Sequence, residues 1–159
     1  MTCAVAALLV AAPAAAALPR AGALVPGRSL GGIRIGESEQ AVRAALGTFY
    51  GACRDCPRPT WYFTYRPFTR PGLAVEFTRG RVSGVYTLWR PAGWHARHKL
   101  GFGTQPLVVH QLVGRTATVV CPGYDVLVRD SRRARDAYYL YGGRLWGFGL
   151  FRRGADPCR

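Results

Sequence analysis

The sequence has few of the residues that carry chemistry. It holds one lysine, Lys99, with three histidines, four serines and eight carboxylates. No phosphate-cradling glycine loop, nucleophile elbow or spaced carboxylate pair can be read from it, so neither catalysis nor a cofactor is expected. Beyond the N-terminal segment, no stretch reaches the eighteen apolar residues of a membrane span. Charged residues are only 19% of the chain and hydrophobic ones 49%, which excludes a coiled coil, a disordered chain and a polytopic membrane protein. The twenty glycines and eleven prolines show no collagen period and indicate a turn-rich globular fold.

Acidic charge is the other shortage. Twenty-two basic residues, all but Lys99 arginine, face eight acidic ones, for a net charge of +14 and a pI near 10.6. A chain this basic adheres to anionic polymers through long-range electrostatics. Arginine with abundant alanine and glycine is also what a GC-rich coding sequence yields, so functional and compositional readings of the charge stand together. No specific nucleic-acid motif accompanies it.

What is present begins with residues 1–17, which read as an export signal. Thr2 to Leu18 is uncharged and apolar, and Ala15-Ala16-Ala17 supplies an A-x-A cleavage site. Residues 18–28 read as a linker. Cys53, Cys56, Cys121 and Cys158 then remain, an even number suited to two disulfides in an oxidising compartment. Three connectivities are possible. The favoured one joins Cys53 to Cys56 and Cys121 to Cys158.

The chain repeats itself. Gly36 opens a helical pattern that ends at Gly47, and sixty-seven residues later Gly103 opens another that ends at Gly114. Ala41, Val42, Ala45 and Leu46 match Val108, Val109, Leu112 and Val113, one stripe of an amphipathic helix. Ser38 or Glu37 is expected to cap the first helix and Thr104 the second, with Pro106 in its first turn. A Cys-Pro step follows each helix. Then come a strand (61–66 or 124–129) and a hairpin turning at Arg79-Gly80 or Gly142-Gly143. The expected fold is therefore α+β: two tandem helix-plus-three-strand units with antiparallel sheet, sharing a core or a continuous sheet. Repeat 1 covers 29–90, a linker 91–98, and repeat 2, with a disulfide-tethered tail, 99–159.

Gly31-Gly32-Ile33-Arg34-Ile35-Gly36-Glu37-Ser38, running on through Val42 to Leu46-Gly47, resembles a superfamily opening. It is the "G-I-x-x-G-M-[ST]-x-x-x-V-x-x-x-L-G" of the BamE/SmpA-like and beta-lactamase-inhibitor-protein-like superfamily, with Glu37 in place of Met. The resemblance implies small helix-and-sheet units, in tandem for the inhibitor proteins, together with secretion and protein binding. It carries no binding residue across.

The remaining candidates are few. Cys53-Arg54-Asp55-Cys56 is followed by Pro57-Arg58-Pro59, which blocks the helix that a redox C-x-x-C needs, so a structural disulfide is expected. His95, His98 and His110 lack metal-ligand spacing, and no metal is expected. Two-residue hairpins pair Phe77 with Val82 and Leu140 with Leu145, which turns these, with Val75 and Tyr138, toward the helices. Unbroken alternation then places Glu76, Ser83 and Val85, and Tyr139, Tyr141, Trp146, Phe148 and Leu150, on the opposite face. There Tyr139 stands opposite Trp146, and Ala137 opposite Phe148. Tyr139, Tyr141, Trp146 and Phe148 are the candidate anchors for a protein partner. Arg129, Arg132, Arg133 and Arg135 form a basic connection suited to an anionic envelope polymer. The expected function is an exported, non-catalytic binding or inhibitor-like module that recognises a protein through a sheet face. The alternative is an envelope-associated structural protein that adheres to anionic polymers.

Overall fold

A computed structural model describes residues 22–63, 72–88 and 93–159. The expected export segment 1–17, residues 64–66 of the strand expected over 61–66, the connection after it and the start of the expected 91–98 linker lie outside the described residues.

The chain is mostly β. A small hairpin of β1 (Leu24–Val25) and β2 (Ser29–Leu30) comes first, then α1 (Glu39–Leu46). Four strands follow: β3 (Gly51–Cys53), β4 (Thr60–Phe63), β5 (Gly72–Thr78) and β6 (Arg81–Leu88). After α2 (Pro106–Val113) come four more: β7 (Ala117–Cys121), β8 (Tyr124–Asp130), β9 (Ala134–Tyr141) and β10 (Arg144–Arg152). The latter eight form one antiparallel sheet in the order β3-β4-β5-β6-β10-β9-β8-β7.

This overturns the α+β reading of two helix-plus-three-strand units. Each helix is eight residues long and precedes four strands. The additional strands, β3 and β7, escaped because neither shows polar–apolar alternation: Gly51-Ala52-Cys53 is too short, and Ala117-Thr118-Val119-Val120-Cys121 runs into the Cys-Pro step.

Local chemistry explains the helix ends. The Ser38 hydroxyl accepts the Ala41 N–H at 3.2 Å, so Ser38 caps α1. Thr104 does not cap α2. Its hydroxyl donates to the Gly101 carbonyl at 2.7 Å, and Gln105 takes the cap position without a side-chain bond. Both helices end at a glycine with φ of 86°, Gly47 and Gly114, a conformation a side chain would strain.

The two hairpins have two-residue turns with positive φ at both positions, at Arg79-Gly80 and Gly142-Gly143, as type I′ requires. Just past each turn the ladder slips by one residue, at Ser83 in β6 and at Trp146 in β10. These matching bulges attach the helix entries. Val82 exchanges backbone hydrogen bonds with Gly36 and Glu37 (2.8 and 2.9 Å), and Leu145 with Gly103 and Thr104 (2.7 and 2.8 Å).

One face of the sheet packs against the helices. Val42 and Leu46 of α1 and Val109 of α2 share a core with Val75, Phe77, Val82, Tyr138, Leu140 and Leu145. Each such apolar side chain contributes about 1.5–3 kcal/mol on full burial. In α2 only Val109 is buried, while Val108 and Leu112 of the expected stripe are exposed. Trp94, inside the expected linker, is 2% exposed and lies against Gly22 and Gly31, where a Cβ would stand 2.7–2.8 Å from its ring. Trp94 and Ala96 of that segment are thus part of the core.

Candidate functional site

The opposite face of the sheet is built from small residues with aromatic ones around them. Ala74, Ala137 and Gly149 align across β5, β9 and β10, with Tyr62 and Tyr86 in the same cross-strand row. At Gly84 an added Cβ would meet the Phe151 ring at 2.7 Å and Glu76 Oε2 at 2.9 Å, so its missing side chain lets both lie across the sheet.

Residues 153–159 fold back over this face as a strap. The Cys121–Cys158 disulfide ties it to β7. Arg135 donates to the Ala155 carbonyl (2.8 Å) and the Tyr139 hydroxyl to the Pro157 carbonyl (3.0 Å). The Tyr124 hydroxyl accepts the Arg159 N–H and donates to its carbonyl. Arg159 then reaches in: its guanidinium pairs with Glu76, Nη2 to Oε2 at 2.9 Å, and lies 4.4 Å from the Phe151 ring centre. Glu76 is 3% exposed, so the pair is desolvated and its charges cancel locally.

Between the strap and the 49–53 segment lies a cleft of about 880 Å³ across the β6–β10 seam. Among the described residues thirteen line it, seven of them aromatic, and Arg159 is the only charged one of these. On its far wall Tyr124, Tyr139 and Trp146 are in mutual contact, with ring centres 5.9–6.4 Å apart. Tyr62 and Tyr86 form the middle, and Phe49, 76% exposed, stands at the near lip. Burial pushes the Tyr86 and Tyr139 hydroxyls well above the ordinary phenol range, so both stay neutral. At these two positions the cleft therefore offers ring faces and neutral hydroxyls.

The structure scatters the expected anchors. Tyr139 and Trp146 line the cleft. Tyr141 sits at the hairpin end of β9, 68% exposed and outside it. Phe148 is 1% exposed in the helix-side core, together with Leu150. The bulge at Trp146 is the cause. It pairs Tyr139 with Gly147 and Ala137 with Gly149, reversing the face of every later residue of β10. The bulge at Ser83 likewise turns Val85 to the helices and Tyr86 into the cleft. Tyr62, Tyr86, Tyr124 and Arg159 were not found from sequence. The glycine after each bulge, Gly84 and Gly147, was the available signal.

The basic connection is partly consumed by structure. Arg135 makes a two-pronged pair with Asp130 (2.8 and 2.9 Å), which holds the Asp130 carboxyl below its usual range, while Arg129, Arg132 and Arg133 are exposed. Both expected disulfides are present, Cys53–Cys56 and Cys121–Cys158. His95 and His98 are exposed, but His110 is half-buried, with its Nδ1 2.6 Å from the Thr116 hydroxyl. Among the described residues no cluster of His, Cys, Asp or Glu could hold a metal, and no helix is long and apolar enough to cross a membrane.

No protein-family model matches the chain, and no curated protein matches it in sequence. Two solved structures are similar in fold. One is a DUF4309 family protein (YjgB) from Bacillus subtilis, 17% identical, with a TM-score of 0.55 over 78% of this chain and 84% of that one. The other is an extracellular protein containing a SCP domain from Bacillus anthracis, 8% identical, with a TM-score of 0.49. The match covers 75% of this chain and 44% of that protein. At these identities the likeness is one of fold alone.

Proposed function

We propose that this chain is a non-catalytic, extracytoplasmic binding module that takes an apolar or aromatic part of a protein partner into the cleft on the strap side of its sheet. The observation that carries this reading is the lining: seven aromatic residues around a charge-neutralised Arg159. Tyr and Trp are the favoured anchors of protein interfaces, and they fill space at low entropy cost. The two disulfides support an oxidising compartment. The resemblance of residues 31–47 to the BamE/SmpA-like and beta-lactamase-inhibitor-protein-like opening points the same way.

The test uses the producer's secreted and envelope fractions, incubated with the purified chain at low and high salt. A partner held by the cleft stays bound at high salt and is lost with Trp146→Ala, which should weaken binding by at least ~2 kcal/mol while the protein still melts cooperatively. A ligand that elutes with salt and ignores Trp146→Ala would instead be an anionic polymer on Arg129, Arg132 and Arg133, and the cleft reading would fail.

A further inference from the structure

The sheet ends on β3 at one side and on β7 at the other, and the two edges are built differently. β3 has three residues, and the last, Cys53, is cross-linked to Cys56. So short and closed an edge offers little to another strand. β7 has five residues, Ala117-Thr118-Val119-Val120-Cys121, with no charge, no proline and no bulge. Cys121, its last residue, is cross-linked to Cys158, but Ala117 to Val120 carry none of the devices that usually blunt an edge.

The β7–β8 turn determines which backbone groups face outward. Pro122-Gly123 is a two-residue connection, so Cys121 and Tyr124 form the hydrogen-bonded pair that closes it. By alternation, Val119–Val126 and Ala117–Val128 are hydrogen-bonded pairs, and Thr118–Leu127 and Val120–Asp125 are not. The N–H and C=O of Thr118 and Val120 therefore point away from β8. Among the described residues no backbone group bonds to them. Val120 is also 80% exposed.

Charge selects the occupant. Exposed Arg115 precedes β7, and exposed Arg129 follows Val128, the partner of Ala117, so the N-terminal end of the edge is basic. A second copy would bring another net charge of +14 to it. We propose that β7 docks an extended, β-branched segment of a partner protein, antiparallel to it, with acidic residues at the segment's C-terminal end. There they lie beside Arg115 and Arg129. Thr118 and Val120 each exchange an N–H and a C=O bond with the added strand, and its Val or Thr side chains pack beside theirs.

The experiment is amide hydrogen exchange on the full chain with two synthetic probes. One is a short peptide of alternating Thr and Val ending in two Glu, and the other ends in two Lys. Exchange at the Thr118 and Val120 amides should be fast in the free protein and slow by at least ~10-fold under the saturating Glu-ended probe. The Lys-ended probe should bind at least ~10-fold more weakly. Thr118→Pro and Val120→Pro each remove an outward donor and leave the β7–β8 ladder whole, so each should reduce binding of the Glu-ended probe by at least ~10-fold. Should a proline variant not fold, the exchange pattern of the unaltered chain decides. No protection at either amide under millimolar Glu-ended probe, protection confined to the cleft, or equal binding of both probes overturns the proposal. Protection that grows with protein concentration alone overturns it in favour of a second copy.

Discussion

The hydroxyl of Thr87 accepts a hydrogen bond from the Phe148 N–H at 2.9 Å and donates one to the Phe148 carbonyl at 3.3 Å. The backbone ladder between β6 and β10 ends at Tyr86–Gly149, so at the next position one side chain satisfies both groups of the facing residue. Thr87 is 2% exposed. Thr87→Val keeps the shape and removes the hydroxyl, leaving a buried N–H and C=O unpaired. Each orphaned group costs about 1–3 kcal/mol, so urea unfolding should show a loss of ~2–6 kcal/mol. A change below ~0.5 kcal/mol would mean that the seam does not depend on this bond.

Thr87 also lines the cleft, which bears on what the sequence could reveal. Register near the turns was legible: Phe77–Val82 and Leu140–Leu145 pair as the Arg79-Gly80 and Gly142-Gly143 turns require. Two residues further on it was not. A bulge changes parity without changing composition, so Phe148 and Val85 were each assigned to the wrong face. The disulfide pairing favoured among the three possible is the one present, but that the strap would bring Arg159 to Glu76, 83 positions away, left no signal. Long-range closure of that kind leaves no local pattern.

The strap yields a prediction about its staple. The Cys121–Cys158 bond spans 37 residues. By the loop-entropy model its loss costs about 3–4 kcal/mol. Replacing both cysteines with alanine should lower stability by that order and loosen Arg159, so partner binding falls as well. Replacing Cys53 and Cys56 removes a bond that closes only a three-residue separation and leaves the strap in place. Paired melting and binding measurements on the two double variants test this, and equal binding loss in both would count against the strap as a cleft wall.

Glu76 and Arg159 should be strongly coupled. Their side chains are 4% and 12% exposed, and Arg58, 40% exposed, is the other cation near Glu76, at 4.0 Å. Glu76→Gln leaves the Arg159 charge largely buried beside Phe151 and Tyr86, and breaking such a pair costs about 3–5 kcal/mol. Replacing both, as Glu76→Gln with Arg159→Met, should cost clearly less than the sum of the single changes, with a coupling of ~1–3 kcal/mol in a double-mutant cycle. Additive costs would show that Arg159 holds the strap by its stacking alone.

The last prediction concerns the helix side of the sheet. Asp136 is 1% exposed and accepts the Gly27 N–H at 2.7 Å, which joins the turn between β1 and β2 to β9. Burial raises its carboxyl to about 6, against the opposing effects of the Gly27 bond and of Arg129, while Asp130 adds to the rise. A folded value above the unfolded one means that the folded chain holds this proton more tightly. The resulting stability is fully present below the unfolded value, near ~3.9, and is lost as pH rises through the folded value. At about a unit per 1.4 kcal/mol, the swing across that window is as much as ~3 kcal/mol. Asp136→Asn keeps an acceptor for Gly27 and cannot titrate. The stability difference between the unaltered chain and Asp136→Asn should therefore shift in favour of the unaltered chain as pH falls from about 7.5 to about 4.5. The comparison cancels Asp130, which is lowered by Arg135 and has the opposite pH dependence in both proteins. Urea midpoints of the two proteins at the two pH values measure the shift, and a difference that does not change with pH would show that Asp136 is ionised with its ordinary affinity for the proton.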